Sequence, residues 1–177
     1  MSKIGRQPII IPEGVTVAHA QGKVTVHGPK GTLERMFPSE VTIREEENSL
    51  NVESPNPALW GTWRSHIANM VQGVSQGFVK NLELQGIGYR VQLQGTSLVF
   101  QIGFSHPVKV DIPEGLAGEI KDSIISIKGI DKEKVGQFAA HLRTLRPPDA
   151  YKGKGIRYQG EVIKLKPGKK AGVGVGA

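Results

Sequence analysis

Shifted by 75 positions, the second half of this chain lies over the first. Gly28 meets Gly103, Pro38 meets Pro113, Gly61 meets Gly136 and His66 meets His141. Apolar positions coincide too: Phe37 with Ile112, Val52 with Ile127, Trp63 with Phe138, Ile67 with Leu142, and Met70 with Leu145. A repeat of this length restricts the fold strongly, because each copy must bury its own apolar face with the elements it encodes. In both copies short alternating runs precede one helical stripe. The expected fold is α+β: two tandem copies of a small domain, each an antiparallel sheet packed on one long helix, with an extended basic C-terminal tail. The expected domains are residues 1–81, 82–146 and 147–177.

In the first copy, Ile9-Ile10-Ile11 leads into the turn Pro12-Glu13-Gly14. Val15 and Val17, then Val24 and Val26, alternate around Gln21-Gly22, which predicts a hairpin with one buried face. Gly28-Pro29-Lys30-Gly31 makes a further turn, and Glu45-Glu46-Glu47-Asn48 reads as an exposed one. A helix is predicted from Pro57, with Asn56 as N-cap and proline at the tolerated first position. Trp60, Trp63, Ile67, Met70, Val74 and Phe78 recur at spacings that place them on one helical face.

In the second copy, Leu82 and Leu84 alternate in one parity and Ile87, Tyr89, Val91 and Leu93 in the other. A β-bulge at Gly86–Ile87 is predicted, since a shift of one residue otherwise turns the apolar face outward. Leu98 to Phe104, Val108 to Ile112, and Ile124 to Ile127 read as strands. Asp131 is expected to cap a helix carrying Val135, Phe138, Leu142 and Leu145, ended by Pro147-Pro148.

After that helix comes PPDAYKGKGIRYQGEVIKLKPGKK. Cations neutralise phosphates, glycines let backbone N–H groups come close, and tyrosines can stack on an unpaired base. The charge is localised. The chain carries +7 overall; from His141 onward nine Lys/Arg face two acids, so that the first 140 residues are neutral. Such asymmetry points to one anion-facing end.

Other chemistry finds little support. There is no cysteine, which removes disulfides, thiolate zinc sites and a cysteine nucleophile. No apolar run reaches the length of a membrane span, and MSKIGRQP has no apolar core of a secretory signal. Gly28-Pro29-Lys30-Gly31-Thr32 lacks phosphate-loop spacing and is followed by strand pattern. His66 and His141 have no ligand partner at i+4, and Glu45–Glu47 splay apart. Neither metal nor cofactor is expected. A nucleic-acid enzyme would have only Asp149 and Glu161 beside the basic stretch, both embedded in cations. A free-standing RNA or DNA regulator remains an alternative. A membrane-surface arm is disfavoured by the lack of an amphipathic apolar face.

The YKGKGIRY run after the second helix, GIGYRVQ at 86–92, GFSHPV at 103–108 and the opening SKIGRQPI together resemble the large-subunit ribosomal protein six family in its bacterial form. The resemblance covers essentially the whole chain. It implies a non-enzymatic constituent of the cytoplasmic ribosome. It implies binding to large-subunit rRNA by the second domain and C-terminal extension, near the sarcin–ricin loop and the stalk base. Neighbouring ribosomal proteins and translational GTPases would be close, and no membrane is involved. Carried to matching positions, it implicates Tyr151, Lys152, Gly153, Lys154, Gly155, Ile156, Arg157 and Tyr158. Lys164, Lys166, Lys169 and Lys170 follow from charge and position. The family commonly has proline where this chain has Ala150, so a looser turn into Tyr151 is expected. The tail is expected to leave the second domain as an arm, with Lys166-Pro167-Gly168 and Ala171–Ala177 ordering only on RNA.

Overall fold

The structure is a computed structural model and describes residues 2–46 and 48–168. Glu47, Lys169, Lys170 and the Ala171–Ala177 run lie outside the described residues. The elements follow in the order β1 (Ile9–Ile10), β2 (Thr16–Ala20), β3 (Lys23–Gly28), β4 (Gly31–Met36), β5 (Thr42–Glu46), β6 (Ser49–Glu53) and α1 (Pro57–Ser75). Then come β7 (Phe78–Gln85), β8 (Arg90–Gln94), β9 (Ser97–Gln101), β10 (Val108–Asp111), β11 (Leu116–Lys121), β12 (Ile124–Gly129), α2 (Lys132–Leu145) and β13 (Gly155–Tyr158).

The duplication is visible in the sheets. One set runs β1-β6-β5 and β2-β3-β4; the other runs β7-β12-β11 and β8-β9-β10, with β13 added on the free side of β7. Each copy therefore has two small sheets, where the sequence suggested one. The split comes between the first and second strand of each copy. Gly14 (φ 80°) breaks the first, and Gly86 and Gly88 (φ 153° and 81°) break the second. At the second break Tyr89 N–H donates to the Gly86 carbonyl at 3.2 Å. The parity change there is a turn between sheets and not the expected bulge. A strand not foreseen, β11, has Leu116, Gly118 and Ile120 on its more buried side. A Cβ on Gly118 would fall 2.8 Å from Ile112 Cδ1, so its missing side chain leaves room for a neighbour's.

Both helices start behind a capping side chain, 75 residues apart. Asn56 accepts from Ala58 N–H at 3.0 Å, and Asp131 accepts from Glu133 N–H at 2.8 Å. Gly77, in the left-handed region at φ 77°, ends α1, which puts Phe78 in β7 and not on the helix stripe.

The chain divides into two compact units. The first runs to Val79 and includes Lys128–Gly136; the second is built from Lys80–Ile127 and the residues from Gln137 onward. In the first, Ile67, Met70, Val71 and Val74 of α1 close a core with Val24, Val26, Leu50 and Val52 from both sheets. Here Arg35 binds Glu133 at 2.7 and 3.0 Å, and its Nη1 reaches His66 Nδ1 at 3.0 Å. Burial and the Arg35 charge hold the His66 imidazole below its ordinary pKa, while Arg35 holds Glu133 below the usual carboxylate range. Arg64 donates to the carbonyls of Gln7 and Pro8 at 3.0 and 3.1 Å. In the second unit Leu82, Leu84, Phe100, Ile125, Ile127 and Leu142 are fully or nearly fully buried, together with Ile156 from the basic stretch. No described helix is long and apolar enough to cross a membrane.

Candidate nucleic-acid interface

The basic stretch is fastened to the edge of the four-stranded sheet. Helix α2 ends at Leu145, and Pro147-Pro148 cannot continue it. Asp149 then closes a tight loop. Its carboxylate accepts from Lys152 N–H, its carbonyl accepts from Gly153 N–H, and its own N–H donates to the Lys154 carbonyl, each at 2.9 Å. Gly153 takes the left-handed conformation (φ 68°) that the loop needs. The turn into Tyr151 is thus firmly hydrogen-bonded despite Ala150. Tyr151, 59% exposed, and Lys152 stand out into solvent, and Lys154 is half-buried.

The next four residues do not form an arm. They make β13, antiparallel to β7, with Gly155 opposite Gln85, Ile156 opposite Leu84, Arg157 opposite Glu83 and Tyr158 opposite Leu82. Hydrophobic burial wins over solvation here: Ile156 is 0% exposed and belongs to the core. Gly155 is buried as well. A Cβ there would sit 2.7 Å from the Pro147 carbonyl oxygen and 2.7 Å from Pro148 Cα. Both residues are therefore packed within the fold. Arg157 is paired with Glu83 at 2.8 and 3.0 Å. The Tyr158 ring has Lys80 and Arg143 at 5.9 and 5.7 Å from its centroid, a cation–π arrangement within the protein.

Beyond β13 the chain turns at Glu161, whose N–H donates to the Tyr158 carbonyl at 3.0 Å. The Glu161 carboxylate receives Tyr158 N–H at 3.0 Å and Arg143 at 2.6 and 3.2 Å. The Arg143 guanidinium first, and the Tyr158 N–H second, hold Glu161 below the usual carboxylate range. Residues 162–166 then run back, and Lys166 N–H donates to the Ala150 carbonyl at 2.7 Å. The expectation of a free arm up to Lys166 is thereby corrected: backbone hydrogen bonds and one buried isoleucine tie it down. Lys164 and Lys166 are exposed, and Lys169 and Lys170 lie outside the described residues.

The surface that results carries Tyr151, Lys152, Lys154, Lys164 and Lys166, and no carboxylate among the described residues pairs with these lysines. Sequence reasoning did not find the supporting set of Lys80, Glu83 and Arg143. Lys80 and Glu83 meet the basic stretch through the β7–β13 pairing, which joins residues 70 to 76 positions apart. Among the described residues no cluster of three or more His, Asp or Glu could hold a metal ion.

Comparison with known proteins places the two copies in a family. The family model described as Ribosomal protein L6 matches twice, over residues 11–77 and 85–159, one match per copy. The chain is 52% identical over 178 residues to the large ribosomal subunit protein uL6 of Persephonella marina, covering 97% of this chain and 99% of that protein. It is 53% identical to the protein of that name from Dictyoglomus turgidum, over 96% of this chain and 98% of the relative. The same name belongs to a Bacillus cereus protein that is 51% identical over 97% of this chain. Two family matches in tandem, on two copies of one topology, and half-identity along nearly the whole length leave one assignment: the chain belongs to the Ribosomal protein L6 family.

Proposed function

We propose that this protein is a structural constituent of the large ribosomal subunit and binds large-subunit rRNA through the second unit and the C-terminal segment. The observation that carries this reading is the loop and return strand that hold Lys152, Lys154, Lys164 and Lys166 on one folded platform without carboxylate partners. Tyr151 beside them offers an exposed ring for stacking. Gly155 and Ile156 fix the platform, and Arg157 and Tyr158 stiffen it. Lys169 and Lys170 extend the same charge along the sequence. As the family resemblance implies, the proposed contact lies near the sarcin–ricin loop and the stalk base, with neighbouring ribosomal proteins and translational GTPases at hand. The role is architectural and not catalytic.

The test is binding to protein-free large-subunit rRNA as a function of salt. Four phosphate contacts at a slope of about −0.7 to −0.9 each predict a loss of roughly 50–150-fold in affinity between 50 and 200 mM salt. Replacing Lys152, Lys154, Lys164 and Lys166 together by glutamine should remove about 3 from that slope. An unchanged slope and affinity in the fourfold variant would sink the platform as the contact. Hydroxyl-radical footprints away from the sarcin–ricin loop and stalk base would overturn the placement. Equal binding to short unrelated oligonucleotides would favour a free-standing regulator.

A further inference from the structure

Two of the large apolar side chains that the second unit exposes, Ile87 and Phe104, are carried by adjoining loops. Ile87 is 91% exposed at the tip of the Gly86–Tyr89 turn, and Phe104 is 46% exposed in the loop after β9. The two loops are fastened together. The Tyr89 ring is wedged between Gly86 and Gly103, where added Cβ atoms would lie 2.6 and 3.4 Å from it. Both glycines have positive φ, so the geometry is set by backbone as well as packing. The Arg146 guanidinium stands 5.6 Å from the Phe104 ring centroid. The same end of the unit adjoins the basic platform, since Gln85 pairs with Gly155 next to Lys154.

Along the sequence these loops carry charge of one sign. No Asp or Glu occurs between Glu83 and Asp111. Glu83 is taken up by Arg157, and Asp111 accepts the Ser97 hydroxyl at 2.6 Å. Arg90 and Arg146 are exposed in the same region. Apolar side chains held rigidly among uncompensated cations suit a polyanion that also carries flat apolar faces, which is the chemistry of RNA with an unstacked base.

We propose that the Gly86–Tyr89 turn and Phe104 form an uncharged wedge that receives an unstacked rRNA nucleobase, Phe104 supplying the stacking face and Ile87 an apolar contact beside it. This rests on the reading of rRNA as the partner. It adds a contact that does not depend on phosphate charge, and that difference makes the two separable.

The experiment measures binding of wild type, F104A, F104L, F104W and I87A to protein-free large-subunit rRNA across a salt series. F104A and F104L should lose about 5–150-fold in affinity with an unchanged salt slope, whereas F104W should retain it. I87A should lose less, again without a change in slope. The fourfold lysine variant should instead flatten the slope. Thermal midpoints of F104A and F104L near that of wild type separate lost contact from lost fold; F104L keeps most of the apolar bulk if alanine proves disruptive. The wedge is overturned if F104L and F104W bind alike, or if F104A binds within twofold of wild type. Retained RNA affinity in F104A would assign the two side chains to a protein partner. If wild type binds no rRNA at all, the broader reading fails, and the wedge with it. If the lysine variant fails as expected while F104A does not, only the wedge fails.

Discussion

Gly155 shows that a glycine in a basic stretch can be required by the fold itself. Glycines in the basic stretch permit close backbone approach, and the sequence suggested an approach to RNA. At Gly155 the close neighbours are the chain's own Arg146, Pro147 and Pro148 backbone atoms, between 2.7 and 2.8 Å from a built Cβ. None of these is a flexible side-chain end, and φ is +146°. G155A should therefore cost about 2–4 kcal/mol. Gly153 differs: its φ of 68° disfavours a side chain, but the nearest atom to a Cβ is Leu165 Cδ2 at 3.6 Å. G153A should cost about 1 kcal/mol. Urea midpoints for the two variants provide the check, and equal effects would show that the proline corner can give way. Ile156 teaches the same lesson. Alternation over four residues flanked by lysines is too short a signal to announce a core position. Its burial depends on Leu84 being opposite, a partner 72 residues away.

At the scale of elements, the helices were the most legible. A cap, a first-position proline and a sustained stripe predicted α1 from Pro57, and Asp131 marked α2. Only the end of α1 was misjudged, because Phe78 keeps the stripe's spacing beyond Gly77. Strand β11 escaped because Gly118 occupies an inward position and erases the alternation. Strand β13 escaped because its partner edge is encoded elsewhere. That edge has a homologue in the first copy that is closed. Leu84 N–H donates to the Ser123 carbonyl, so the N–H groups of Glu83 and Gln85 face β13. The position equivalent to Glu83 is Pro8, which has no N–H, and Arg64 occupies the Gln7 and Pro8 carbonyls. A chain ending at Arg146 would uncover the β7 edge as well as lose Ile156, whereas one ending at Glu161 keeps both. The shorter chain should lose about 2–4 kcal/mol of stability and self-associate, seen by light scattering, while the longer should remain monomeric and as stable as wild type to within about 1 kcal/mol.

For the whole molecule, the shifts resolved for groups that titrate below neutrality agree in sign. His66 lies below its ordinary 6.5, and Glu133 and Glu161 lie below their ordinary 4.5. The folded protein thus binds fewer protons than the unfolded chain wherever these groups titrate. Their contribution is fully present above pH 6.5. The His66 part is lost as pH falls from 6.5 through its lowered pKa, and the carboxylate part as pH falls from 4.5 through theirs. Urea unfolding between pH 3 and 8 should show stability rising in two steps toward neutrality, with H66Q removing the upper step. A flat profile from pH 5 to 7 in the wild-type protein would contradict the Arg35–His66–Glu133 geometry. The duplication itself was legible from matched glycines, prolines and apolar positions, but the sealing of one sheet edge and the occupation of the other were not. The position of β13 also sets a timetable for synthesis. Both sheets of the first copy are complete once Glu53 has been made, but Gln85 waits 70 residues for Gly155. At about 5–20 residues per second that is a delay of roughly 4–14 s. For that interval the nascent second copy presents an unpaired β7 edge, so slowing synthesis between these two positions should prolong its exposure to other chains.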